Sequence, residues 1–145
     1  MAGNVIFRGP IDRQFRTINK PVDGALLPGT FVEETATELA QITTALAKRP
    51  LLLMNLDFKD QDVATAYTDG DTGVAIEIEE GMVVQARVAA ATYAKGAPLT
   101  IAAAGRLAAA GSGTKVVAFF DDVPGAKSAG DLVDVIVADG YIVPA

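Results

Sequence analysis

The densest set of side chains able to do chemistry is carboxylate. Asp57, Asp60, Asp62, Asp69 and Asp71 crowd one polar stretch of a 145-residue chain. Carboxylates at such spacing can ligate calcium or divide acid and base roles in a hydrolysis. A calcium loop sets its ligands at alternating positions around a glycine and closes on a bidentate glutamate. Here Ala64 follows Asp60 and Asp62, and the pattern fails. A carboxylate pair acting on a sugar needs a cleft usually lined with aromatic rings, and the chain has no Trp. Gly111-Ser-Gly-Thr-Lys115 has the composition of a phosphate loop, but Thr precedes Lys and a strand is expected to follow, so a hairpin turn is the better reading. Ser112 beside Lys115 lacks a nucleophile-elbow context, and the chain has neither His nor Cys. The residue inventory therefore favours surface contact over turnover, with no catalytic, metal or cofactor residue assigned.

The elements that would position these groups read as short strands. Glycine opens four apolar runs, at Gly29, Gly81, Gly96 and Gly130, and the β-branched residues that follow suit a pleated strand. Residues 30–34 read as a strand. Leu39, Ile42 and Leu46 fall at helical spacing, but Thr35, Thr37, Thr43 and Thr44 turn the reading of residues 35–48 toward strand. Residues 51–56 lack polar alternation and are expected to be buried on both faces. In 74–79, Val74, Ile76 and Ile78 should face inward with Glu77 and Glu79 outward. In 82–90, Val84, Ala86 and Val88 should oppose Gln85 and Arg87. The Glu80-Gly81 turn joins these two runs as an expected hairpin. A second hairpin turns at Ala104-Gly105, and strands follow at 115–121, 131–138 and 141–143. Nine or ten short strands joined by tight turns predict an all-β fold, a small sandwich or barrel.

Residues 1–27, with Pro10 and Pro21 and no sustained periodicity, are expected to form an extended N-terminal arm, lying along the domain or reaching a neighbour. Residues 28–145 form a single β domain large enough to hold its own core. Charge divides the same way. Arg8, Arg13, Arg16 and Lys20 against Asp12 give residues 1–20 a net +3, which leaves −9 of the total −6 on the remainder. An acidic body repels nucleic acid, and Arg87, Lys95 and Arg106 interrupt the Ala-rich stretch too often for a membrane span. No secretory signal is visible, and a soluble protein is expected.

The order of features over residues 24–143 resembles the head decoration, or cement, proteins of tailed bacteriophages. The residues that carry it are Pro28-Gly-Thr-Phe-Val-Glu33, then Arg49-Pro-Leu-Leu-Leu-Met-Asn-Leu-Asp-Phe58, then the turn Tyr67-Thr-Asp-Gly-Asp71. Ala94-Lys-Gly-Ala-Pro-Leu-Thr-Ile-Ala-Ala-Ala-Gly-Arg-Leu107, Val116-Val-Ala-Phe-Phe120 and Gly130-Asp-Leu-Val-Asp-Val-Ile-Val137 complete the order. Trimeric dUTP hydrolases share the length and the all-β character, but their uridine- and phosphate-binding motifs have no counterpart here.

The resemblance implies a jelly-roll or β-tulip fold and a structural role on the outer surface of the virion capsid. It implies the major capsid protein and other copies of this chain, as dimer or trimer, as partners, with no nucleic acid, membrane or cofactor. On that reading Phe7, Ile11 and Phe15 would bury apolar surface on the shell, while Arg8, Arg13 and Arg16 pair with capsid carboxylates. Two rivals remain: a small β-barrel adaptor for a ligand or peptide, and a hydrolase using Asp69 or Asp71.

Overall fold

Alternating and fully apolar runs this short can hold strands only when other strands cover them, and the computed structural model, described over residues 4–144, shows such an arrangement. Its strands are β1 (Phe7–Gly9), β2 (Thr17–Pro21), β3 (Phe31–Glu34), β4 (Leu39–Gln41), β5 (Leu51–Leu53), β6 (Thr72–Glu77) and β7 (Val83–Arg87). They continue as β8 (Ala91–Tyr93), β9 (Pro98–Ile101), β10 (Leu107–Ala109), β11 (Ala118–Phe120), β12 (Gly125–Lys127) and β13 (Leu132–Val137). The only helical turns among the described residues are two single 3-10 turns, at Asp57–Lys59 and Ala103–Gly105. The expected all-β class is what the structure has.

The larger sheet runs β1-β7-β13-β11-β9-β10 and the smaller β2-β6-β5-β3-β4, with β12 and β8 forming a separate ribbon. Every pairing between these strands is antiparallel. Each sheet also curls back on itself. In the smaller one, Val22, just past β2, bridges Leu39 of the far strand β4, and Asp23 N–H donates to the Leu39 carbonyl at 2.9 Å. In the larger one, Val88, just past β7, bridges Leu107 of β10, and Ala89 N–H donates to the Leu107 carbonyl at 2.8 Å. Closure of this kind covers part of the open edges that would otherwise invite stray pairing, while β1 remains at the edge of the larger sheet.

The register explains the apolar run at 51–53. Phe31, Leu52 and Ile76 lie side by side across β3, β5 and β6 and join the large core with Val84, Val133, Val135, Leu99 and Phe120. Leu51, Leu53, Val32 and Ala75 point the other way, into a second core with Val22, Leu39, Leu56 and Tyr67. All three leucines of β5 are buried, as the lack of alternation requires.

The 3-10 turn between β9 and β10 is seated directly on β3. Gly105 has φ +64°, and a Cβ there would lie 2.6 Å from Thr30 Cγ2 and 2.8 Å from the Phe31 carbonyl oxygen. Only glycine allows both that backbone and that approach.

Several expectations are corrected. The hairpin expected at Glu80-Gly81 does not form. β6 pairs with β2 and β5 while β7 pairs with β1 and β13, so the turn carries the chain from one sheet to the other. The faces of β6 and β7 assigned to solvent are also covered. Ala75 is fully buried opposite Val74 and Ile76, and Gln85 is 1% exposed. Residues 35–48 contribute only the three-residue β4, the rest being turn and bend held by Thr35 Oγ1, which accepts from Glu38 N–H at 3.0 Å. Of the two courses expected for residues 1–27, the described part follows the one along the domain: β1 is an edge strand of the larger sheet, β2 of the smaller, and Ile6 is fully buried. The ends of the two expected units, residues 1–3 and 145, lie outside the described residues.

Candidate interaction surface

Strands β1 and β2 border different sheets, so the loop joining them, residues 10–16, must cross from one layer to the other. Its ends are tied down. The Phe7 and Phe15 rings lie 4.6 Å apart and pack against the large core. Arg8 Nε sits 3.4 Å from Asp134 Oδ1, and Arg13 Nη1 donates to the Glu80 carbonyl at 2.6 Å. Arg16 Nε lies 3.3 Å from Glu77 Oε2 while the Arg49 guanidinium takes the other oxygen, Oε1. Arg13 N–H closes the turn on the Pro10 carbonyl at 3.2 Å.

Of the six residues expected to reach a partner, Phe7, Arg8, Arg13 and Phe15 are thus engaged by their own domain. Arg16 is also paired, yet its side chain is 79% exposed, and Ile11 is 100% exposed at the tip of the turn. A fully exposed isoleucine on a loop braced at both ends presents apolar surface already ordered for contact.

Beside this loop lies a cleft of about 280 Å³ where the two sheets part. Its apolar lining residues are Pro50, Leu51 and Ile78 from one side and Val117, Val137 and Ala138 from the other. Glu79, Lys115 and Asp139 also line it, as do Arg49 and Glu77, which pair with each other.

The carboxylates singled out in the sequence shape turns. Asp62 Oδ1 accepts from the Thr65 hydroxyl at 2.7 Å and from Ala64 N–H at 3.0 Å, and these bonds hold its carboxyl below the usual range. Asp69 Oδ1 accepts from Gly24 N–H at 2.8 Å and Asp71 Oδ2 from Thr68 N–H at 3.2 Å, while Asp57 and Asp60 are exposed. Thr114 Oγ1 donates to the Gly111 carbonyl at 2.6 Å in a turn, but the hairpin expected there does not form: the flanking strands β10 and β11 each pair with β9, which lies between them. Among the described residues no three His, Cys, Asp or Glu side chains are grouped to hold a metal ion.

A different acidic group, absent from the sequence reading, forms on the larger sheet. Asp122 Oδ2 accepts from Asp134 N–H at 2.9 Å, and Lys95 Nζ reaches Asp121 Oδ1 at 2.7 Å. Burial pushes the Asp134 carboxyl above its ordinary value; Asp122 and Asp121 add to that rise and Arg8 opposes it.

Sequence reasoning also missed Arg87 and Gln85, both assigned to solvent. The half-buried Arg87 guanidinium donates to the carbonyls of Pro28 at 2.9 Å, Gly130 at 2.8 Å, and Val63. Gln85 Nε2 donates to the Val5 carbonyl at 2.6 Å. No local signal marks either residue, because every partner comes from a distant segment.

No family model matches the chain, and no curated protein matches it. Among solved structures, the chain is similar to the head fiber gp8.5 N base of bacteriophage phi29. The TM-score is 0.60 at 11% identity, covering 89% of this chain and 98% of that one. At that identity the likeness is one of fold.

Proposed function

We propose that this chain is a structural protein of a bacteriophage head that binds the outer surface of the assembled shell and stabilises it by bridging major capsid protein subunits. The observation that carries the reading is the shared fold with a phage head fiber base along nearly the full length of both chains. The ordered motifs over residues 24–143 point to the same setting independently.

The physics of such a role suits the molecule. A protein that binds the intact shell better than its separated subunits stabilises the shell by mass action, and repeated copies multiply weak individual contacts. The work is done by surfaces held on the β scaffold, among them the loop at residues 10–16, braced by the Phe7–Phe15 contact and the Arg13–Glu80 bond. Arg16, the most exposed cation of the N-terminal segment whose pairing is known, is placed to steer encounter with an acidic shell surface more than to add affinity.

The test is co-sedimentation of the purified chain with expanded phage shells, together with the temperature at which those shells come apart. Saturable binding with a raised disruption temperature is expected. Equal binding to unassembled capsid subunits, or no effect on shell disruption, would overturn the proposal.

A further inference from the structure

We infer that the Asp139-Gly140 link, where the chain leaves β13, is a site of self-modification: in the folded protein it converts to isoaspartate, while the other two Asp-Gly pairs stay as they are. The inference does not depend on the phage-head reading.

The chain has three Asp-Gly pairs, at residues 23–24, 69–70 and 139–140. Glycine favours the reaction because no Cβ shields its amide and its backbone turns freely. The glycine nitrogen bonds to the aspartate Cγ, one carboxyl OH and the amide proton leave together as water, and a succinimide ring closes. Water then adds to one of the two ring carbonyls. Cleavage of the Cγ–N bond returns aspartate. Cleavage of the bond from nitrogen to the main-chain carbonyl carbon leaves the glycine joined through Cγ, which is isoaspartate. No oxidant or reductant takes part, and the mass is unchanged.

Hydrogen bonding separates the three pairs. Gly24 N–H donates to Asp69 Oδ1 at 2.8 Å, and Gly70 N–H donates to the Val22 carbonyl at 2.9 Å. The first two pairs thus clasp each other, with both attacking nitrogens and the Asp69 carboxylate engaged. Val22 is fully buried, and its own N–H donates to the Asp71 carbonyl at 2.8 Å. Attack at either pair requires the clasp to open first. At the third pair Asp139 is exposed, and Gly140 has φ +84° outside any strand. Among the described residues the Gly140 N–H donates no hydrogen bond and the Asp139 carboxylate accepts none.

The consequence falls on the segment that follows, which lies antiparallel against residues 113–116. Val116 N–H donates to the Tyr141 carbonyl at 2.8 Å and Val143 N–H to the Thr114 carbonyl at 2.9 Å. The Tyr141 ring also stacks on Phe119, with centroids 6.3 Å apart. Isoaspartate inserts an extra main-chain atom between β13 and this segment, both of which are pinned by pairing, and so displaces the segment.

The test incubates the full chain in neutral buffer below its melting temperature and maps its peptides by chromatography and mass spectrometry, with an isoaspartyl methyltransferase as the probe. Isoaspartate at 139 should accumulate at least roughly fivefold faster than at 23 or 69, the ratio set by having to break one hydrogen bond before attack. In urea the three pairs should react at similar rates. Asp139→Glu keeps the charge but would have to close a larger ring, and should abolish the product at that site. Amide exchange at Val116 and Val143 should quicken in the isomerised fraction and stay unchanged in Asp139→Glu. Equal accumulation at all three pairs in the folded chain, or a position 139 that reacts only in urea, would overturn the inference. Unchanged exchange at Val116 and Val143 in the isomerised fraction would overturn the displacement of the terminal segment.

Discussion

Replacing Arg87 with methionine should destabilise the fold by about 3 kcal/mol, because one guanidinium ties three distant segments to β7. Its donors reach Pro28, Val63 and Gly130 on three loops; main-chain bonds from Arg87 N–H to the Gly29 carbonyl and from Gly130 N–H to the Val88 carbonyl hold two of these loops to β7 as well. A hydrogen bond from a charged donor contributes about 1.5–3 kcal/mol when it is lost from a buried acceptor. Three would sum to more than the expected loss, but two effects reduce the sum. The guanidinium is half-buried, so the freed carbonyls regain some water. Its removal also relieves the desolvation that, with Arg106 nearby, holds its pKa below the ordinary arginine value.

Methionine keeps the apolar stem over Gly29 and Leu132, so packing changes little and the difference reports the polar head. Urea unfolding at pH 7 should show a lower midpoint with an unchanged slope, and the melting temperature should fall by roughly 6–12 °C for a chain of this size. Arg87→Lys keeps the charge but cannot span three carbonyls, and about half the loss is expected. A methionine variant within about 0.5 kcal/mol of the parent would refute the tie.

Asp134 predicts a pH dependence of opposite sign to the usual carboxylate. Its folded pKa is raised by burial, so its ionisation withdraws stability as pH climbs from the unfolded value of about 4 through the folded one. Asp134→Asn should match the parent at pH 3 and exceed it at pH 7 in urea melts; a deficit at pH 7 would mean that the Arg8 contact outweighs burial. The Tyr67 hydroxyl, which donates to the Met54 carbonyl, is pushed up to about 12 by burial, so absorbance at alkaline pH should show a phenolate that appears only there. Tyr67→Phe should remove that late step and about 1 kcal/mol of stability. Gly105→Ala should cost at least about 2 kcal/mol, because positive φ and a backbone clash at 2.8 Å act together, whereas Gly96→Ala, with open space around its Cβ, should cost about 1 kcal/mol. Equal losses at the two glycines, measured by thermal melts, would remove the clash from the account.

What could be read locally was read from alternation, turns and composition. Leu51–Leu53 declared burial on both faces, and Ala104-Gly105 declared a hairpin that β9 and β10 form. The all-β class followed from glycine-led β-branched runs, since those properties belong to residues a few positions apart. Tertiary pairing decided what local pattern left open. The Glu80-Gly81 turn suits a hairpin and a crossing between sheets equally well, and only the partners of β6 and β7, brought from far along the chain, select the crossing. Gln85 and Arg87 occupy polar positions of an alternating strand, which predicts solvent wherever one face is open. Here Val5, Pro28, Val63 and Gly130 lie over that face, and sequence periodicity carries no information about what folds back to cover it. The N-terminal candidates divide for the same reason: Phe7 and Phe15 are apolar enough to bury on any surface, and their own core was the nearer one, while the turn that closes at Arg13 leaves Ile11 outside.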